Sequence, residues 1–321
     1  WLALILQVYF LFMTVVSAPY YGIYAELAVT TEDRVLVSSW QHVFGLCGAG
    51  VALLASGLLI NVIGYAWTGL IISILGVLPR YLGLWGARGR LTYVPEAVPS
   101  FGEFRRNAMY AFRLTFTNRR FLYLMGSLLC FHAALLMTTQ VLPFYVVALL
   151  GLAEGFVVVV TTSFFFASLF AIPLVIWSST RFDKVRIYAG CLLAGAVLLP
   201  FLSVVGLVGG IPPLAQAMVV MGLVGIPMSG VFILPDALLA DVVDEDTERT
   251  RFRREAMFFS SRSTLEKVGQ AIASGLFAVL IGVFGATAEE PLGIRLVGPV
   301  AALCLVLGWW LLRRGYRTTA A

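Results

Sequence analysis

The chain has 321 residues, of which 60% are hydrophobic and only 12% charged, with a formal net charge of +5 and a mean hydropathy of +0.94. Soluble domains carry about 25% charged residues, which excludes a soluble globule. Recurrent apolar runs of about 20 residues, each able to cross a hydrocarbon core of about 30 Å, predict an all-α multi-pass membrane protein.

Spans are expected near 1–26, 35–60, 64–86, 120–148, 155–178, 187–207, 212–239, 256–284 and 294–312, nine in all. In the first, Thr14, Ser17, Pro19, Tyr20, Tyr21 and Gly22 interrupt the apolar run. Proline frees backbone carbonyls, which a membrane helix tolerates where it faces protein or a cavity. Thr14, Ser17 and Tyr21 share one face, and hydroxyls beside an aromatic ring suit a polyhydroxylated solute. Ordinary helix packing by Ser and Thr is the competing reading. Gln41 and His42 in the second span, and His132 and Gln140 in the fourth, are further polar residues at membrane depth.

The loop 87–119 carries Arg88, Arg90, Arg105, Arg106, Arg113 and Arg119. Ser100 and Glu103 form a capping box. The spacing of Phe101, Phe104, Ala108, Met109, Phe112 and Phe116 then predicts an amphipathic helix on the inner leaflet. This connector divides a three-helix stretch, 1–86, from a six-helix stretch, 120–312, which ends in a basic tail at 313–321. Arg181, Lys184, Arg186, the arginines of 249–254 and Arg313, Arg314 and Arg317 fall on the same side as the loop, leaving only Arg295 opposite. That side is the cytoplasm by the positive-inside rule. The basic charge therefore reflects topology and implies no nucleic-acid partner. A cytoplasmic C-terminus puts the N-terminus outside, yet the chain opens on Trp1 within a helix, so a longer parent is expected.

The stretch 235–269 carries most of the chemistry. Lys267 lies twelve residues beyond Glu255, about 18 Å along a helix and near mid-bilayer. A charge there costs about 2.5–3.5 kcal/mol on insertion scales. Ser260, Ser263, Thr264, Lys267, Gln270 and Ser274 share a face that reads as the wall of a water-filled cavity; a lysine ion-paired for packing is the alternative. Arg262 and Glu266 stand one turn apart and read as a pair that neutralises itself. Asp241 and Asp244, near Asp236 at the cytoplasmic mouth, face the basic run from Arg249 to Arg254. Together with Asp183 and Lys184 they are candidates for a charge lock that opens as two bundles rock. A solvated loop with no mechanical role is the alternative, since exposed pairs are worth about 0–1 kcal/mol each. Four dispersed cysteines and two histidines show neither metal-ligand spacing nor a disulfide framework. No metal or cofactor is expected.

Four passages carry a family likeness: PYYGIYAEL at 19–27 with Glu32-Asp33-Arg34, TNRRF at 117–121, IPLVIW and TRFDKVR within 172–186, and ADVVDEDTERTRFRREAMFF at 240–259 leading to EKVGQA around Lys267. In these the chain resembles the glycoside–pentoside–hexuronide:cation symporters, the melibiose-carrier family of the major facilitator superfamily. The resemblance implies two six-helix bundles around a central solute site, with nine of twelve helices present. It implies that Lys267 is the lysine of the eleventh helix near the coupling-ion and sugar sites. Thr14 falls at a cation-site threonine and Tyr21 at an aromatic sugar contact. Ser17 replaces an acidic residue of the melibiose carriers, Phe232 a tryptophan, and Gln41 or His42 an arginine. These departures turn away from a galactoside. The main site for the coupling ion, Na⁺ or H⁺, is expected in helices that precede this chain.

The expected function is cation-coupled symport of a sugar-like or other small polar solute by a monomer in the cell membrane. Its partners are the solute, a monovalent cation or proton, and the lipid bilayer. One alternative is an antiporter or exporter of an amphiphile. Another, of a different class, is an intramembrane prenyltransferase using Asp241, Asp244 and Asp246 to hold Mg²⁺–diphosphate. Glu32-Asp33 is too sparse to supply its second acidic motif.

Overall fold

The computed structural model describes residues 4–5, 7–9, 11–13, 15–16, 31–88, 115–250 and 255–317, without the side chains at 31, 34, 53–58, 60, 61, 87, 255, 256, 260 and 317. Its elements are α1 (Thr31–Ala87), α2 (Arg119–Phe144, continued by a π turn, Tyr145–Leu149), α3 (Phe156–Arg181), α4 (Lys184–Leu198, continued by a 3-10 turn, Leu199–Val204), α5 (Pro213–Thr250), α6 (Glu255–Phe284) and α7 (Leu292–Arg317). No strand occurs among the described residues. Helix is the required choice, because a bilayer offers no water to satisfy free backbone N–H and C=O groups.

Eight stretches among the described residues are long and apolar enough to cross a membrane. They correspond to the expected spans from the second onward; the first expected span and the connector helix lie largely outside the described residues. The second and third spans share one helix, α1, of 57 residues, about 86 Å long at 1.5 Å per residue and too long for one crossing. Gly64, with φ of 77°, breaks it, leaving Val35–Ala52 and Val62–Gly86 as separate candidates. A positive φ is unstrained only for glycine.

Within 119–317, α2 packs between α6 and α7, α5 packs on α3 and α4, and α4 reaches α7. The first half of α1 lies against α3 and α5. It does so through one face: Val35, Ser38, Ser39 and Leu46 are buried at helical spacing, with His42 between them. Among the described side chains of Val62–Gly86 most are exposed, Val62 and Tyr65 each by 80%, as lipid-facing surface should be, while Thr68 is buried.

Close helix contact comes from small residues, because in lipid the attraction between helices is van der Waals contact rather than water exclusion. At Gly225 of α5, an added Cβ would stand 2.4 Å from the carbonyl oxygen of Phe164 on α3. The backbones meet there with no room for a side chain.

Both helix ends are tied. At one end, Asn118 caps α2 by accepting from the Phe121 N–H at 3.1 Å and donates to the buried Asp246 at 3.3 Å. At the other, the Tyr145 hydroxyl donates to the Leu202 carbonyl at 2.6 Å. Gln216 closes the turn before α5 by bonding Gly206, Val208 and Ile211. Arg295, expected in an outer loop, belongs to the start of α7 and donates to the Ser203 carbonyl.

Gly225→Leu is expected to destabilise the protein by more than the roughly 1–3 kcal/mol of ordinary overpacking, read as a fall in melting temperature in lipid–detergent micelles. An unchanged melting temperature would show that α3 and α5 separate freely.

Candidate functional site

The α2–α5–α6 junction holds four ionisable groups at membrane depth. Arg262 of α6 is ion-paired with Asp236 of α5 and donates to Glu266 at 2.8 Å. His132 of α2 completes the group, its Nε2 lying 3.8 Å from Glu266 Oε1. Asp236, Arg262 and His132 are 14–15% exposed and Glu266 24%. Desolvating such charges costs several kcal/mol per ion, offset only by close pairing. The expected self-neutralising Arg262–Glu266 pair is therefore corrected: it is present, but a second carboxylate shares the same guanidinium. Without an added proton the quartet carries one net negative charge.

His132 also lines a cavity of about 220 Å³, together with Thr138, Thr139, Thr161, Phe232 and Gln270. Every lining helix belongs to the stretch 119–317. The threonines give this cavity little donor capacity. Thr138, Thr139 and Thr161 spend their hydroxyl protons on the carbonyls of Ala134, Leu136 and Val157 in their own helices. Most remaining wall is leucine, methionine, valine and phenylalanine. The polar end is His132 and Gln270.

Of the stripe expected on α6, Gln270 lines the cavity while Lys267 is half-buried and does not. Ser274 accepts from Gln140 of α2 at 2.9 Å. The packed face of α6 carries Phe258, Phe259, Ser261 and Ala273.

His42 and Phe232 come together. The His42 ring stacks on Phe232 at 4.8 Å and its Nε2 lies 3.2 Å from the Ser168 hydroxyl on α3. Phe232 meets Phe131 edge to face at 5.2 Å. A ring series thus runs from α1 through α5 to α2, beside His132. Gln41 is half-buried next to His42 and has no described role there. Thr14, Ser17 and Tyr21 lie outside the described residues.

At the far end of the helices, Lys184 pairs with Asp241 and Arg120 with Glu245. A pocket of about 330 Å³ contains these four residues, Asp183 and Tyr316. Arg249 reaches Asp246 at 3.4 Å; Asp244 is exposed, and Arg254 lies outside the described residues. Arg181, Arg313 and Arg314 lie over Trp177, Trp309 and Trp310 at 4.7–5.1 Å. Arginine over tryptophan suits a membrane–water boundary. The described pairs of Lys184 and Arg120 both tie α5 to helices of its own stretch, α4 and α2.

Residues 1–314 match the family model for MFS/sugar transport proteins. The chain belongs to that family. Among curated proteins, an uncharacterized symporter of Synechocystis sp. is 30% identical over 174 residues, a stretch covering 52% of this chain and 30% of the relative. The chain thus spans well under two thirds of the relative's length. Membership in a transporter family sets aside the intramembrane prenyltransferase.

Asp236 and His132 are the residues that sequence reasoning undervalued. The signal for Asp236 was an odd set of charges, Arg262 with Glu266 and a further carboxylate, embedded in apolar sequence where charges need partners of opposite sign.

Arg262→Met leaves two carboxylates facing each other without their cation. Breaking a buried ion pair on one side costs about 3–5 kcal/mol. A large loss of melting temperature is expected, partly restored by adding Asp236→Asn. A wild-type melting temperature for the single variant would show that the quartet bears no structural load.

Proposed function

We propose that the protein is a secondary transporter that moves a small solute across a membrane by alternating access, driven by a monovalent cation or proton. The observation that carries this reading is the coincidence of an interhelical cavity and an ionisable cluster sharing His132. Intramembrane charges are costly and mark solute or ion pathways by default. The family supports a solute of sugar-like size. Lys267, one residue from Glu266 on the same helix, remains the candidate for coupling. The positive-inside asymmetry puts the C-terminus in the cytoplasm of a cell or inner membrane. On this reading 1–86 belongs to one bundle and 120–312 to another, joined by the cytoplasmic connector 87–119 and followed by the basic tail 313–321.

A second reading has its own observation. The largely apolar cavity wall and its self-bonded threonines favour a solute with an apolar face, moved by an exporter or antiporter. A cavity that offers few donors discriminates against polyhydroxyl compounds, whose hydroxyls would enter it unpaired.

The decisive experiment reconstitutes the intact protein in liposomes and follows radiolabelled sugars and amphiphiles under imposed Na⁺ or H⁺ gradients. Accumulation above equilibrium that collapses with the ionophore establishes coupling. Equilibration alone would remove coupling, and inhibition of export by an opposing gradient would favour the second reading. Lys267→Ala is expected to abolish accumulation while leaving insertion intact; wild-type uptake by a well-inserted variant removes Lys267 from the mechanism. Because Asp241 and Lys184 join α5 to α4, the gate proposed here is a stiff α4–α5 end that moves as a unit. Asp241→Asn should therefore slow counterflow exchange more than it raises the half-saturation concentration, and a pure affinity loss would contradict the gate.

A further inference from the structure

His132 has a fixed tautomer. Its Nδ1 lies 2.9 Å from the Leu128 carbonyl oxygen, and a carbonyl can only accept, so the Nδ1 position carries a hydrogen. In a neutral ring the other nitrogen, Nε2, then presents a lone pair. That lone pair faces Glu266 Oε1 at 3.8 Å, which, when ionised, is also an acceptor. Two acceptors facing each other repel, and a proton placed between them turns the contact into a charge-assisted attraction.

Burial and the Arg262 guanidinium oppose a charge on this ring, while the Glu266 carboxylate and the Leu128 carbonyl favour it. Glu266 and Asp236 share Arg262, so the three groups carry one net negative charge in a desolvated site. Other titratable groups come from each packed helix. On α6, Lys267 follows Glu266 but points about 100° around the axis from it. On α4, the Tyr188 phenol lies within electrostatic range of Arg262 and is hydrogen-bonded with Ser127 at 3.4 Å. On α2, Cys130 lies two residues from His132, and on α7 Cys304 lies within range of Cys130. Of these neighbours, only Lys267 adds a positive charge at neutral pH, and it does not remove the acceptor–acceptor contact.

We propose that His132 and Glu266 together hold one exchangeable proton, making the Asp236–Arg262–Glu266–His132 quartet a proton-binding site inside the six-helix stretch. The proton enters from the cavity that His132 lines, forms an N–H bond at Nε2 and directs it at Glu266. The quartet then passes from one negative charge to neutrality, and release reverses both changes. Because the same guanidinium binds α5 to α6, protonation weakens the hold of Glu266 on Arg262 and leaves Asp236 as its main partner. The site's existence follows from the geometry; its role as the coupling ion's site rests on the symport reading above.

The chain has two histidines, which makes a direct measurement feasible. Histidine ring ¹⁵N would be introduced into the chain in lipid nanodiscs and the two resonances assigned with His42→Gln. Spectra would then be recorded from pH 5 to 9. His132 is expected to pass between imidazolium and the Nδ1–H neutral form within that range. In Glu266→Gln the midpoint should fall by at least one pH unit, a tenfold loss of proton affinity. A His132 that stays in one neutral form throughout, or a midpoint that Glu266→Gln does not move, overturns the proposal. Should Glu266→Gln fail to fold, Asp236→Asn supplies the second test: it removes the other carboxylate and should lower the midpoint in the same direction, and an unmoved midpoint overturns the site. Transport does not enter this readout. Titration without ion-coupled flux in the intact protein would leave the site standing and remove symport. Coupled flux with a silent His132 would keep symport and remove the site.

Discussion

One guanidinium inside the bilayer constrains the six-helix stretch more than any other group. Arg262 can be tolerated at that depth only with carboxylate partners, and it takes one from its own helix and one from α5. The second choice matters more. An intrahelical pair with Glu266 would leave α6 free to turn or slide, whereas the pair with Asp236 fixes α6 against α5 in both register and rotation. His132 adds α2 to the same point. Three helices are thereby aligned by a contact whose failure would strand charge in hydrocarbon.

Apolar packing acts differently. The α3–α5 seam closes because Gly225 permits backbone contact at Phe164. The α1 face around His42 closes through stacking on Phe232 and a contact with Ser168. Neither penalises sliding as strongly as separated charges do, since dispersion energy is spread over many weak contacts. A bundle in which three helices are pinned by charge and others meet by shape has a natural division between stiff and yielding parts. The cavity lies along the boundary between these parts, with His132 on one wall and Phe164 on another.

The spans were legible because hydropathy is local: a run of about 20 apolar residues carries its own evidence. The break between the second and third spans was legible for the same reason, although it is one glycine in a long helix rather than a loop. The quartet was only half legible. Arg262 and Glu266 share a helix, so their spacing gives the contact directly. Asp236 and His132 lie on other helices, and a single sequence holds no record of which turn of α5 or α2 faces which turn of α6. Asp236 was grouped with Asp241 because they are neighbours in the chain, yet the five-residue separation places it more than a helical turn deeper. The same limit left open which of the candidate cations, Lys184 or the arginines of 249–254, pairs with Asp241; it is Lys184.

An odd number of charges in a buried cluster links protonation to packing. With two carboxylates and one guanidinium the quartet itself is one positive charge short until a proton is bound, and Glu266 is the carboxylate with a histidine beside it. Asp236 has no such neighbour, and its pairing with Arg262 secures α5 in both protonation states. Loading a proton therefore neutralises the cluster without releasing the interhelical tie, while changing how firmly Arg262 is held to its own helix. A pathway that must carry charge through a low-dielectric interior benefits from this asymmetry. The neutral, loaded state has the smaller desolvation cost for any rearrangement of the cavity wall formed by His132, Phe232 and Gln270.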